Sequence, residues 1–205
     1  MRVIEPALPP GLFRRARAAV KRLGTSRLQK SYWTTFWLPR SAKAAHPIEE
    51  AVVALARFAA PARASGMEWW IGRSYTSAVP IGFHFDQDVK ARTGLRHPLV
   101  STVFFFNRVK GGQLAVTDQV PGPGGGPRPA EARRLETAAP APNRYAIFRG
   151  DRFHGVLDER GRTPGRPRPG PRGVLRVTLV VNYWDHRPTG VPRWSETRIY
   201  RALAP

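Results

Sequence analysis

The residues in this chain best suited to chemistry are His84 and Asp86, in the run Gly82-Phe-His-Phe-Asp-Gln-Asp88. In an extended stretch side chains alternate with a period of two, so His-x-Asp sends an imidazole and a carboxylate to one face. Such a pair makes two thirds of the facial triad that holds non-heme Fe(II), and a second histidine must complete it. The histidines downstream are His97, His154 and His186. A proline directly follows His97, and His186 opens the C-terminal tail. Around His154 a strand, a Gly-Asp turn and a second strand are readable between Tyr145 and Leu157, which favours it over its two rivals. Arg176 comes twenty-two positions after His154, as the one charge in an apolar run from Gly173 to Trp184. A charge inside a buried strand needs an anion, either a structural ion-pair partner or a ligand. A lone His-x-Asp proves little, but this order of His-x-Asp, distal His and strand Arg is much rarer.

The elements that must position these groups fall into two textures. Gly11 to Leu23 places Leu12, Ala16, Ala19, Val20 and Leu23 on one helical face, with basic residues opposite. A second helix is predicted from Pro47 to about Ala60. Its first-position proline, Glu49 and Glu50 in the first turn, and Pro61 beyond its end are start and stop signals. Tyr32 to Leu38 is aromatic and β-branched and reads as a strand between them. From Met67 onward short strands alternate with Gly and Pro: Glu68 to Tyr75, Ile81 to Asp86, Leu99 to Asn107, Gln113 to Thr117, Arg144 to Phe148, Phe153 to Leu157 and Val174 to Trp184. That spacing predicts an all-β sandwich or barrel. Pro121 to Ala130 and Arg160 to Arg172 lack apolar anchors and are expected to be mobile loops. The Phe104-Phe-Phe106 run is expected to pack in the core. The tail from His186 should cross the barrel through Trp194, Ile199 and Tyr200.

Length and composition bound the rest. A chain of 205 residues suits one domain, and 41% hydrophobic content argues for a folded globule. There is no cysteine, which excludes thiolate metal sites, disulfides and cysteine nucleophiles. No run approaches the ~20 apolar residues of a membrane span, so a soluble cytoplasmic protein is expected. The net charge of +20, from 34 Lys plus Arg against 14 Asp plus Glu, points to an anionic partner such as nucleic acid or an acidic peptide. An Arg-rich composition would explain Arg over Lys, though not the shortage of acids.

Over about residues 67 to 185 the chain resembles the Fe(II)/2-oxoglutarate-dependent dioxygenases. The segment from Ser101 to Leu114, with its paired Gly111 and Gly112, is similar to the prolyl-hydroxylase-like branch. The resemblance implies a mainly β fold, a double-stranded β-helix of jelly-roll or cupin-like form with N-terminal supporting helices. One domain over 1–205 would then divide into helical support (1–66), barrel core (67–185) and tail (186–205). By position, His84, Asp86 and His154 match the catalytic iron ligands. Arg176 matches the residue that binds the distal carboxylate of 2-oxoglutarate, Thr178 the hydroxyl residue two positions on, and Tyr75 a tyrosine near the co-substrate. In the family the Arg commonly follows the distal His at a shorter interval, and the excess here is close to the length of the Arg-rich segment, a lengthened hairpin tip. Arg172 within that segment is a rival anchor. A carboxylate at Asp86, where related halogenases have a small residue, implies hydroxylation or another oxidation such as demethylation or desaturation. Nucleic-acid demethylases carry a second Arg where this chain has Asn182, which argues against that branch. Implied co-substrates are O2 and 2-oxoglutarate, with succinate and CO2 released and the primary substrate unidentified. The alternative is a non-catalytic cupin-like metal-binding barrel that recognises RNA or an acidic peptide.

Overall fold

A computed structural model describes residues 1–24, 34–79, 82–91, 94–164 and 174–204. Tyr32, Trp33 and Ile81 from the expected strands, and residues 165–172 of the Arg-rich segment, Arg172 included, lie outside them. The elements are β1 (Arg2–Ile4), α1 (Pro10–Arg22), β2 (Phe36–Pro39), α2 (Pro47–Ala59), β3 (Gly66–Tyr75), β4 (Val100–Phe105), β5 (Leu114–Thr117), β6 (Val120–Pro121), β7 (Pro127–Arg128), β8 (Leu135–Ala138), β9 (Arg144–Arg149), β10 (His154–Val156) and β11 (Leu175–Trp184). A six-stranded antiparallel sheet runs β1-β9-β4-β11-β3-β2, and a three-stranded one runs β10-β5-β8.

The strand alternation sorts the core into two layers. Met67, Trp69 and Ile71 of β3 and Leu179, Val181 and Tyr183 of β11 are buried with Ala16, Val20, Val52 and Leu55 of the two helices. The intervening residues face the smaller sheet, where Val103, Phe105, Ala146 and Phe148 pack with Leu114 and Val116. The Phe104–Phe106 run divides accordingly: Phe104 and Phe106 join the helix side and Phe105 the layer between the sheets. In the tail, Tyr200 and Leu203 are buried on the helix side, with Trp194 and Ile199 against them, as the sequence leads one to expect.

The α2 start signals hold and gain a member. His46 is the N-cap, its Nδ1 accepting from Glu49 N at 3.3 Å, while Glu49 Oε2 accepts from Ala45 N at 2.8 Å. Three sequence expectations change. The strand expected over Ile81 to Asp86 reduces, among the described residues, to one antiparallel bridge between His84 and His154. Beyond it the chain folds back on itself: Asp88 N donates to Arg96 O at 2.9 Å and His97 Nδ1 to Asp86 O at 2.7 Å, which takes the backbone away from a ladder partner. The Pro121 to Ala130 segment is not a structureless loop. Val120 and Pro121 pair with Arg128 and Pro127 across a glycine turn closed by Gly122 N to Gly126 O at 2.7 Å. Leu135–Ala138, with Leu135 exposed, is an edge strand on β5 without the apolar alternation that would announce it.

Candidate metal centre

Two backbone bonds bring the triad together. His84 N donates to His154 O at 2.8 Å, and His154 N donates to His84 O at 3.0 Å. That exchange sets the two imidazoles side by side, ring centroids 4.6 Å apart. Gly155 makes the approach possible, because a Cβ there would meet the Phe83 ring at 2.7 Å and its Cα at 3.1 Å. Phe83 and Phe85 pack instead at a tilt against Phe153, ring centroids 5.7 and 4.9 Å apart, on the outer side of the segment.

On the inner side His84 Nε2 lies 3.5 Å from Asp86 Oδ1, and His154 Nε2 lies 3.5 Å from Asp86 Oδ2. One ligand atom from each residue falls within 4.8 Å of the others, and this is the one such group among the described residues. Each imidazole is oriented from behind. Nδ1 of His84 lies 3.0 Å from Gly82 O and Nδ1 of His154 lies 2.8 Å from Arg152 O. With the ring proton on Nδ1, the Nε2 lone pair is available to a cation. Asp86 Oδ2 accepts from Ser101 Oγ at 3.0 Å and Asn182 Nδ2 at 3.1 Å. His154 is buried and Asp86 nearly so, while 37% of the His84 side chain stays exposed, so the group opens to one side.

The charges reinforce one another. Burial alone would raise the Asp86 carboxyl, but the His154 and His84 imidazoles and Asn182 outweigh it and hold it far below the usual carboxylate range. Burial would lower His84, yet its bond to Asp86 and the carboxylate charge leave it raised. Burial prevails at His154, which with the neighbouring His84 keeps that ring lowered despite Asp86. Two imidazoles and an ionised carboxylate on one open face form a donor set that fits a divalent non-heme metal.

Arg176 and Thr178 lie on the inner face of β11, register partners of Ser74 and Gly72. The Arg176 side chain is buried, its Nε donating to Gly112 O at 2.8 Å and Nη1 to Thr178 Oγ1 at 3.4 Å, with Cζ 5.2 Å from the Phe105 ring centroid. The paired glycines now have a physical reason. Both have positive φ, and a Cβ on Gly112 would meet Arg176 Cδ at 2.9 Å and Thr76 Cγ2 at 2.7 Å. Tyr75 ends β3 opposite Leu175, one position out of phase with Gly72 and Ser74.

The rival histidines have other partners. His97 holds the Asp86 carbonyl, and His186 bonds Asp185 Oδ1 at 2.7 Å, with its Nε2 3.6 Å from Asp88 Oδ2. Asp88 in turn accepts from Thr189 N and Oγ1 at 2.8 and 2.9 Å, tying the metal-side segment to the tail. Beside the triad opens a cleft of about 640 Å³, lined in part by Glu68, Trp70, Asp86, Asp88, Lys90 and Asn182. Burial raises Glu68 to about 7, the Asp86 and Asp88 charges add to the rise, and bonds from Thr35 and Trp184 oppose it. Ser101, Asn182 and Glu68 escape a sequence reading centred on histidines, although Glu68 and Asn182, like Arg176, are polar residues in largely apolar strands.

No family model and no curated protein matches the sequence. Solved structures do share the fold. A prolyl-4-hydroxylase from Pseudomonas putida superposes with a TM-score of 0.53 at 16% identity, over 91% of this chain and 92% of that one. The non-heme alpha-ketoglutarate-dependent epimerase SnoN of nogalamycin biosynthesis gives 0.52 at 16%, over 92% and 79%. A prolyl 4-hydroxylase structure from Phytophthora capsici gives 0.51 at 14%, over 95% of this chain but 60% of that one. The chain shares its fold with these three structures. No described helix is long and apolar enough to cross a membrane.

Proposed function

We propose that the chain is an Fe(II)- and 2-oxoglutarate-dependent dioxygenase on a double-stranded β-helix. The observation that carries this reading is the convergence of His84, Asp86 and His154, two Nε2 atoms each 3.5 Å from an oxygen of one carboxylate, on a face open to a cleft. Iron and 2-oxoglutarate, when bound, supply the activation of O2, with 2-oxoglutarate oxidised to succinate and CO2 as the substrate is oxidised.

The residues divide the remaining work. His84 and His154 offer Nε2 to the metal, and their Nδ1 bonds to carbonyls fix the ring planes. Asp86 needs no deprotonation at neutral pH, because its neighbours hold it ionised. Ser101 and Asn182 keep that carboxylate from rotating. Arg176 takes the distal carboxylate of 2-oxoglutarate with its terminal nitrogens while Gly112 O anchors Nε, and Thr178 adds a hydroxyl from the same face. Tyr75 is a candidate neighbour of the co-substrate through the resemblance, while Thr76 stands against Gly112 beside the arginine. Because Asp86 fills the position that a halogenase leaves empty, hydroxylation is our reading of the outcome, although the shared fold also serves an epimerase.

Anaerobic titration with Fe(II) and then 2-oxoglutarate, followed by exposure to O2, tests the proposal. Succinate should form even without a primary substrate, and His154→Ala should abolish it. Metal and 2-oxoglutarate binding with no succinate in any arm would favour a non-catalytic barrel.

A further inference from the structure

The cleft beside the triad has a wall whose chemistry opposes the charge of the chain as a whole. Its inner edge is built from two cross-strand pairs, Glu68 opposite Asn182 and Trp70 opposite Val180, on adjoining strands β3 and β11. Directly opposed residues on one sheet face have Cβ atoms ~4.5–5.5 Å apart, so these side chains act as one surface. Asn182 is 1% exposed, and its amide is oriented by donation to Asp86 Oδ2 at 3.1 Å. That leaves Asn182 Oδ1 buried and with no hydrogen-bond partner among the described residues, on a residue that lines the cleft. A buried acceptor without a donor costs free energy, so it marks a place where a donor belongs.

Glu68 stands next to it. The Glu68 carboxylate accepts from Trp184 Nε1 at 3.1 Å and bonds Thr35, which fixes it without exhausting its roughly four lone-pair sites. The charges acting most strongly on Glu68 are acidic, those of Asp86 and Asp88. Asp88 itself is satisfied by Thr189 and by Lys90 N. Lys90, the one lysine or arginine among the described lining residues, lies toward Gly190 at the tail side, where a Cβ on Gly190 would be 3.4 Å from its Nζ. Two acceptors next to an indole, one of them a carboxylate that a bound cation would hold ionised, compose a site for an ammonium group.

We propose that the primary substrate is an amine, its protonated nitrogen held by the Glu68 carboxylate and Asn182 Oδ1 with its carbon skeleton along Trp70. This rests on the oxygenase reading for what happens next door, and it reverses the anionic substrate suggested by the net charge of +20. Since Asn182 also holds Asp86, the bound nitrogen sits one side chain away from a metal ligand. Oxidation would then fall on a carbon close to the amine.

The test uses three probes of similar size: 2-phenylethylamine, 2-phenylethanol and 3-phenylpropionate. Each is titrated into the unaltered protein, with and without Co(II) and 2-oxoglutarate, following tryptophan fluorescence and, when loaded, the Co(II) visible bands. The amine should bind about tenfold or more tighter than the alcohol, the worth of a charge-assisted hydrogen bond, and the carboxylate weakest. In the loaded protein the amine should also perturb the Co(II) bands. Glu68→Gln should erase the preference while leaving Co(II) uptake intact. Equal binding of all three, tightest binding of the carboxylate, or an amine preference that survives Glu68→Gln would overturn the proposal. If Glu68→Gln fails to fold, the ranking on the unaltered protein decides alone. If Co(II) bands never form, the oxygenase reading falls, and fluorescence of the metal-free protein still decides the amine.

Discussion

The two faces of strands β3 and β11 are made from the same twenty residues and do opposite work. On the helix side stand Met67, Trp69, Ile71, Leu179, Val181 and Tyr183, all buried and packed on α1 and α2. On the inner side stand Glu68, Trp70, Arg176, Thr178 and Asn182, polar or aromatic, three of them lining the cleft and two joined in the Arg176–Thr178 pair. The period of two writes both sets into one stretch of sequence. The outer set is bound by apolar area removed from water, which depends on shape and little on identity. The inner set is bound by directed hydrogen bonds and charge, where identity is everything. Damage to one face should therefore read out as lost stability, and damage to the other as lost binding.

The largest effect that would break this contrast is on the outer face. Trp69 is fully buried against Phe36, ring centroids 4.8 Å apart, and against His46 at 5.5 Å. Trp69→Ala should cost about 3–5 kcal/mol of unfolding free energy, read by urea denaturation. Succinate formed per folded molecule should stay within about twofold, because Trp69 stands on the helix side of β3, opposite to Glu68 and Trp70. A variant that keeps its stability and loses turnover would refute the division of labour.

The inner-face counterpart is Arg176→Ala. Removing one side of a buried charge pair costs about 2–5 kcal/mol, or roughly thirty- to several-thousandfold in 2-oxoglutarate affinity. Fe(II) binding should survive, because Arg176 is held by Gly112 O and Thr178 Oγ1 and is not a member of the His84–Asp86–His154 group. Calorimetry of the metal-loaded protein separates the two affinities. Loss on Arg172→Ala but not on Arg176→Ala would move the anchor into the Arg-rich segment.

How far this was legible in the sequence follows the same division. His84 and Asp86 could be read because two residues of distinctive chemistry at spacing two need little context. Arg176 stood out as a lone charge in an apolar run. The α2 boundaries followed from Pro47, the two glutamates and Pro61, all local signals. What stayed hidden depends on register between strands far apart in sequence. Nothing near Asn182 says that it meets Asp86, ninety-six residues away, and nothing near Ser101 says so either. The His84 segment reads as a strand because Phe83 and Phe85, which pack at a tilt on Phe153, give it a strand's alternation around a single bridge to His154. The β6–β7 hairpin was missed because Pro and Gly, normally breakers, here build the turn itself.

The smallest effect concerns pH, and it sharpens the contrast by isolating a titratable group on the outer face. His46 is 2% exposed, caps α2 and packs edge-on against Trp194 at 4.4 Å. Burial lowers it from 6.5 to about 4, with Glu50 and its own backbone bond opposing. The folded state thus resists a proton that the unfolded chain accepts near pH 6.5. The His46 contribution is complete above that pH, declines as pH falls, and is exhausted near pH 4, a swing of at most about 3 kcal/mol. Asn is a good N-cap and can still accept from Glu49 N, so His46→Asn preserves helix initiation while removing the titration. It leaves a void beside Trp194, which lowers stability at every pH, so the slope between pH 6.5 and 4 is the quantity to compare. The variant should lose stability less steeply than the unaltered protein across that window and run parallel to it above pH 7. His84 and His154 titrate in both proteins and cancel in the difference. Parallel curves throughout would mean that His46 is protonated in the folded state, and the outer face would then carry a charge that its packing gives no sign of.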